Sequence, residues 1–209
     1  MTDAAPTPAS SGPERPRTKW GSVAVATVLA LLAAALLFFI VSPGGDDSDA
    51  GTTTHFKPTT YHIVVKSLKI NAPIVSIAMS SDRVLTPPSN PRDVGWWDAS
   101  AKPGSARGQT IIAGHTVHTG GGQFDHLGSL KKGARINVVH KKRTDHYVAT
   151  KVFTLTKAEV SEQAKKLFSQ GRAKNRLVLI TCGNWTGREY LTNVFVYAKP
   201  LGSTANAAV

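Results

Sequence analysis

The pattern of hydrophobic and polar positions changes sharply along the 209 residues of the chain. Residues 1–19 are rich in Pro, Ser, Thr and Ala, which predicts a disordered tail. Residues 21–41 include no charged side chain, and about 21 residues of helix extend about 31 Å, the thickness of a bilayer's hydrocarbon core. We therefore predict a transmembrane anchor over residues 20–41 and a flexible stalk over residues 42–58.

From residue 59 onward, short apolar alternations are separated by turn residues, which is typical of β-structure. Thr156 and Glu159 have the spacing of a capping box, so one helix is predicted to begin there and to end at Gly171. Residues 85–108 are too rich in Pro and Gly for a regular element and predict a long ordered loop. The predicted strands are Tyr61–Val65, Lys69–Ile70, Ile74–Ala78, Gln109–Ala113, Arg135–His140, His146–Leu155, Arg176–Cys182 and Tyr190–Ala198.

About eight strands in about 150 residues favour a mainly β fold, a small closed barrel. We assign this domain to residues 59–200 and expect a disordered C-terminal tail over residues 201–209.

The charges around the apolar segment predict its orientation. Arg15, Arg17 and Lys19 precede it and an acidic stretch follows, so the positive-inside rule places the N-terminus in the cytoplasm. A cleaved signal peptide is the alternative, but its apolar region is usually shorter and ends at small residues of the Ala-x-Ala kind, whereas this segment ends in FFIVSPGGDD. We expect a single-pass protein of the cell membrane with an extracytoplasmic domain.

The formal charge of +12 is concentrated in this domain, because residues 1–50 carry three basic and five acidic side chains. Anionic envelope polymers or lipid headgroups would suit such a charge. No zinc-finger, helix-turn-helix or aromatic-rich ribonucleoprotein pattern is present, so we predict no nucleic-acid partner.

Cys182 is the only cysteine, which excludes an intrachain disulfide. It ends the apolar run RLVLITC and is followed by a turn sequence, a position that suits a reactive thiol as well as a buried one. His115 likewise follows the predicted strand QTIIAG. Because imidazole can accept a thiol proton near neutral pH, Cys182 and His115 form the smallest nucleophilic pair that the chain offers.

Other polar and aromatic residues have more than one interpretation. A hairpin closed by residues 183–187 would place Arg188 opposite Cys182, with Cα atoms about 5 Å apart, where it could stabilise an oxyanion. Thr181 could offer its hydroxyl to a bound peptide or be a buried strand residue. Trp96 and Trp97 could form a groove wall or close the barrel end.

A metal site would need more than the histidines of this region. His118 and His126 lie near His115 in sequence, but no carboxylate at ligand spacing and no second thiol completes a site. We therefore predict neither a metal nor another cofactor.

Several motifs appear together in a fixed order. IIAGHT precedes LVLITC, with His115 and Cys182 67 positions apart, and YLTNVFVYA follows; DVGWW and GGGQFDHLGSLKKG flank the histidine. Over residues 60–200 this set resembles the sortase family, most closely the class F sortases of actinobacteria. The resemblance implies an eight-stranded sortase-type barrel with one or two short helices.

The same resemblance implies a cysteine transpeptidase. It would cleave a Leu-Pro-x-Thr-Gly (LPxTG) sorting signal of surface proteins between Thr and Gly through a thioacyl intermediate at Cys182. His115 would protonate the leaving amine and then deprotonate an acceptor amine from peptidoglycan or a lipid-linked precursor. Relatives often carry an essential arginine just after an aromatic residue of the last strand, where this chain has Leu191, so Arg188 would be the substitute.

Three alternatives predict different features. An L,D-transpeptidase should show Ser-His-Gly-Cys, whereas this chain has LITCG. Papain-like peptidases place the cysteine before the histidine, the reverse of the order found here. A non-catalytic envelope-binding module would leave Cys182 inert.

Overall fold

The computed structural model describes residues 56–207, which contain eight strands. The predicted tail, anchor and most of the stalk lie outside these residues. The strands are β1 (Lys57–Val65), β2 (Ile70–Ile77), β3 (Val94–Trp97), β4 (Gln109–Gly114), β5 (Arg135–His140), β6 (Arg143–Thr156), β7 (Arg176–Trp185) and β8 (Tyr190–Ala205).

The strands close into a barrel in the order β1-β2-β3-β4-β7-β8-β6-β5. Most neighbours are antiparallel, as expected for strands joined by short turns. β4 and β7 instead run parallel, from the pair Gln109–Arg176 to the pair Ala113–Ile180. The ends of these two strands therefore lie at the same end of the barrel.

Alternating side chains form two apolar clusters. The inner cluster fills the barrel and includes Ile112, Leu179 and Val196, all fully buried. The outer cluster includes Ile111, Val178 and Phe195, against which Leu167 and Phe168 pack. Since Phe168 and Leu167 belong to the helical segment, that segment covers the outer face of β4, β7 and β8.

The helical segment consists of α1 (Lys157–Glu162) and α2 (Ala164–Phe168), separated by Gln163. The predicted capping box is present, because the Thr156 hydroxyl accepts from the Glu159 amide while the Glu159 carboxylate accepts from the Thr156 amide. The segment ends at Phe168, earlier than the predicted end at Gly171.

Three predicted boundaries are wrong. Residues 85–108 contain β3, a short strand that pairs in parallel with β2 and antiparallel with β4. The pieces predicted over Lys69–Ile70 and Ile74–Ala78 form one strand, β2. β8 continues to Ala205 in register with β6, so residues 201–205 are strand and not a disordered tail.

None of the helices described in residues 56–207 has the length and hydropathy of a membrane-crossing helix.

Candidate active site

His115 and Cys182 come from the parallel strands β4 and β7. The last pair in register is Ala113–Ile180, and His115 and Cys182 each follow this pair by two residues, so both lie at the same end of the barrel. Two side-chain hydrogen bonds hold these ends together. The Thr181 hydroxyl donates to the Gly114 carbonyl at 2.8 Å, and the Thr116 hydroxyl donates to the Cys182 carbonyl at 2.8 Å.

The Cys182 side chain belongs to the outer face of the barrel, because Ile180, two residues earlier on β7, is part of the outer cluster. Burial raises the pKa of the Cys182 thiol, and the positive charge of Lys157 acts in the opposite direction. The thiol is therefore less ionised at neutral pH than an exposed cysteine, and Lys157 favours its thiolate form.

The His115 ring is held by the loop between β2 and β3. Its Nε2 atom lies 2.8 Å from the carbonyl oxygen of Pro88. A carbonyl can only accept a hydrogen bond, so Nε2 must carry a proton in this contact. In the neutral imidazole Nδ1 is then the atom that can accept a proton.

Thr181 is 4% exposed, and its hydroxyl also lies 2.7 Å from that of Thr116. Two hydroxyl protons thus serve three short contacts, so the two threonines form one coupled group. Of the two interpretations of Thr181, this geometry favours the buried strand residue, whose hydroxyl links β7 to the end of β4.

A cavity of about 460 Å³ opens beside Cys182. The loop after β4 forms one wall and the β7–β8 hairpin forms the other. The rings of His118 and Trp185 stack across it with centroids 4.3 Å apart. Both oxygens of Asp125 accept backbone hydrogen bonds, from Val117 and Gly122, which fixes the shape of the loop. His115 itself does not line this cavity.

The predicted register of the β7–β8 hairpin is wrong. Cys182 pairs with Asn193, and Trp185 pairs with Tyr190. β7 continues to Trp185 before the chain turns, so the hairpin is longer than the five-residue connection assumed from the sequence. Arg188 consequently lies at the exposed hairpin tip and not opposite the thiol.

Asn193 and Lys157 are polar neighbours of Cys182 that sequence reasoning missed. Leu155, Asn193 and Cys182 form one row across β6, β8 and β7, and Lys157 follows Leu155 by two residues. The Asn193 amide donates to the Thr181 carbonyl at 3.4 Å. Asn193 could be found from the sequence only if the hairpin register were known. Lys157 could have been located, because it is the first helix residue after the predicted cap at Thr156.

The tryptophan pair does not line the cavity beside Cys182. Trp96 is 8% exposed in the inner cluster, and its indole donates to the Ser100 hydroxyl at 3.0 Å. Trp97 packs on the outer cluster, edge-on to Phe168 with centroids 6.1 Å apart. Trp96 is a core residue, so its prediction as part of a groove wall is wrong.

Among residues 56–207, no three His, Cys, Asp or Glu side chains are close enough together to hold a metal ion.

The model of the sortase domain matches residues 63–201. The chain therefore belongs to the sortase family. As a sortase it is a cysteine transpeptidase that acts on cell-wall sorting signals, and this membership decides against an L,D-transpeptidase and against a non-catalytic module. The eight-stranded barrel with two short helices is the sortase fold.

Solved sortases of several classes have similar structures. Sortase C-3 from Streptococcus pneumoniae aligns with a TM-score of 0.56 at 16% identity, over 80% of this chain and 73% of that one. Sortase A from Corynebacterium diphtheriae aligns with a TM-score of 0.56 at 19% identity, over 69% of this chain and 61% of that one.

Sortase E1 from Streptomyces coelicolor, solved with a tripeptide in its active site, aligns with a TM-score of 0.56 at 17% identity, over 73% of this chain and 96% of that one. At these identities the likeness concerns the fold alone. No curated protein sequence matches the chain significantly.

Proposed function

We propose that this sortase cleaves an LPxTG-type sorting signal between Thr and Gly and transfers the surface protein to a cell-wall amine. Cys182 is the nucleophile and His115 is its proton-transfer partner. The observation that supports the proposal is the register of β4 and β7, whose last pair, Ala113–Ile180, lies two residues before His115 and Cys182. The adjacent cavity of about 460 Å³ gives space for a peptide or an acceptor.

The reaction proceeds in two acyl transfers. The Cys182 thiol passes its proton to His115 as its sulfur attacks the threonine carbonyl carbon, and the bond to the glycine nitrogen breaks as His115 gives that proton to the nitrogen. The thioester then joins Cys182 to the signal peptide. His115 next takes a proton from an incoming amine, which attacks the thioester and releases the thiolate. If water replaces the amine, the result is hydrolysis.

Charge stabilisation is the part of this proposal that the corrected hairpin register changes. The predicted role of Arg188 in stabilising the oxyanion depends on its pairing with Cys182, but the residue that pairs with Cys182 is Asn193. An arginine at the exposed hairpin tip could act only if the tip folded toward the substrate. The Asn193 amide and the Lys157 ammonium are the polar groups that the outer face supplies near the thiol.

The proposed location is the outer surface of the cell membrane, with the N-terminus in the cytoplasm. The uncharged run over residues 21–41 and the basic residues before it support this location. The order of motifs supports class F, and the acceptor is an amine of peptidoglycan or of a lipid-linked precursor. The +14 charge beyond residue 50 suits an anionic envelope.

Cleavage of a fluorogenic LPxTG peptide by the full chain in detergent tests the assignment. Cys182→Ala should abolish cleavage, and His115→Ala should nearly do so, whereas His62→Ala should match the parent because His62 is an exposed histidine of β1. Mass spectrometry should detect the peptide up to its threonine on Cys182. Turnover by Cys182→Ala, with unchanged circular dichroism, would refute the mechanism.

A further inference from the structure

A second cavity, of about 440 Å³, lies at the other end of β4 and β7. We call it the basic cleft; its lining residues are Gln109, Lys165, Lys166, Ser169, Arg172 and Arg176. Gln109 and Arg176 are the first pair of the parallel register. Cys182 lies six positions after Arg176 on β7, a distance of about 20 Å, so the basic cleft is separate from the cavity beside the thiol.

The Arg176 guanidinium is held in a fixed orientation at the base of the cleft. Its Nε and Nη2 atoms both donate to the side-chain oxygen of Gln109, the first at 2.9 Å. Gln109 is fully buried, and its own amide donates to the carbonyls of Leu167 and Ser169, the first at 3.1 Å. The guanidinium also lies over the Tyr197 ring, 3.7 Å from the centroid. These contacts fix one edge and one face of the guanidinium.

The cleft gathers positive charge without a carboxylate. Two lysines and two arginines line it, and no Asp or Glu does. The ion pair found in residues 56–207, Arg143 with Asp145, involves none of them. Cations collected in a concave site repel one another, so an anion that enters the cleft removes an unfavourable energy as well as forming new contacts.

We propose that the basic cleft binds the phosphodiester group of a glycerol-phosphate compound of the cell envelope. An oriented guanidinium matches the geometry of phosphate oxygens, the three other cations neutralise the charge, and the Ser169 hydroxyl adds a donor. The cleft, with a volume of about 440 Å³, has room for a glycerol-phosphate unit. A lipid headgroup and a wall polymer both present this unit. The site does not depend on the reaction at Cys182.

A charge-matched pair of variants tests the proposal. The cleft variant carries Lys165→Gln, Lys166→Gln and Arg172→Gln; the control carries Lys131→Gln, Lys132→Gln and Lys141→Gln, which removes equal charge at exposed positions outside the cleft. Binding of a fluorescein-labelled glycerol-phosphate oligomer to the full chain in neutral detergent is followed by anisotropy. The cleft variant should bind about ten-fold more weakly, and the control within about two-fold of the parent. Equal weakening in both variants, or none in the cleft variant, would overturn the proposal.

Arg176→Lys examines recognition at constant charge. Lysine keeps the positive charge but lacks the planar pair of guanidinium N–H donors, so the oligomer should bind several-fold more weakly. Peptide cleavage should be unchanged. Binding equal to the parent would show that net charge alone attracts the oligomer, and it would overturn the proposal of a site that recognises the phosphodiester by its geometry.

Competition identifies the source of the phosphodiester. Displacement of the oligomer by dihexanoyl phosphatidylglycerol, and not by dihexanoyl phosphatidylcholine, supports a lipid headgroup. Displacement by unlabelled oligomer alone supports a wall polymer. Phosphatidylcholine carries the same phosphodiester with a compensating choline cation, so displacement equally well by phosphatidylcholine would contradict recognition of a net negative charge and overturn the proposal.

Discussion

The coupled hydroxyls of Thr116 and Thr181 allow a quantitative test of how the two strand ends are held together. Thr181→Val keeps the side-chain shape but removes the donor to the Gly114 carbonyl, a bond of 2.8 Å next to His115. Gly114 and Thr181 are both buried, so the carbonyl loses a partner that water cannot readily replace. An unsatisfied buried acceptor costs about 1–3 kcal/mol, so we expect unfolding free energy to fall by about 2 kcal/mol.

For a domain of about 150 residues this corresponds to a fall in Tm of about 4–8 °C. Thr116→Val removes the donor to the Cys182 carbonyl and should cost about 1 kcal/mol, because Thr116 is only half-buried. Because two protons serve three contacts, the double variant should lose less than the two single losses combined, by about 0.5–1 kcal/mol.

Chemical denaturation of the parent, both single variants and the double variant in the same detergent measures this coupling. Thr181→Ser, which keeps the hydroxyl, is the matched control and should restore most of the loss. A Thr181→Val variant within about 0.5 kcal/mol of the parent, or strictly additive losses, would refute the coupled arrangement.

Three further predictions concern other residues. Burial raises the pKa of the Cys182 thiol while Lys157 lowers it, so alkylation by iodoacetamide should accelerate as pH rises toward and beyond 9. Lys157→Met should shift this pH profile to higher pH. A shift to lower pH, or no shift, would contradict a role for the Lys157 charge. Arg188→Ala should reduce peptide cleavage less than ten-fold, since Arg188 lies at the exposed hairpin tip, and a greater loss of kcat/KM would show that the tip reaches the substrate. Gly114→Ala should destabilise by about 1–3 kcal/mol in thermal unfolding because its Cβ would come within 2.6 Å of the buried Phe124 ring, whereas Gly171→Ala, whose nearest neighbour would be 3.8 Å away, should be nearly neutral.

The strands predicted best from the sequence are those whose side chains are alternately buried and exposed along the strand, or are all buried. β5 has the predicted bounds, and the predicted strands over β4, β6, β7 and β8 all lie within the observed ones. Local chemistry also sufficed for the capping box at Thr156, because its two hydrogen bonds join residues three positions apart. The end of β4 at Gly114 was likewise visible as a change from apolar to turn residues, whereas β7 continues past Cys182 to Trp185.

Features that depend on partners distant in sequence were not predictable. β3 is short and contains Gly95, so it is a strand only because β2 and β4 lie on either side of it. The predicted strands left out residues 71–73, but these belong to β2. Pro73 is tolerated there because pairing with β3 begins only at Ile74, so one edge of the strand is unpaired at Pro73. Asn193 was missed because the position of the hairpin turn sets the register.

The parallel ladder of β4 and β7 leads to His115 and Cys182 without using the chain between the two strands. Residues 116–175 leave the end of β4 and return to the start of β7, yet none of them belongs to the ladder, which ends at Ala113–Ile180, two residues before His115 and Cys182. Insertions or exchanges in the β5–β6 hairpin or in the helical cover could therefore alter surface recognition while the positions of the proposed nucleophile and base stay unchanged. Such an arrangement lets new specificity develop without rebuilding the chemistry.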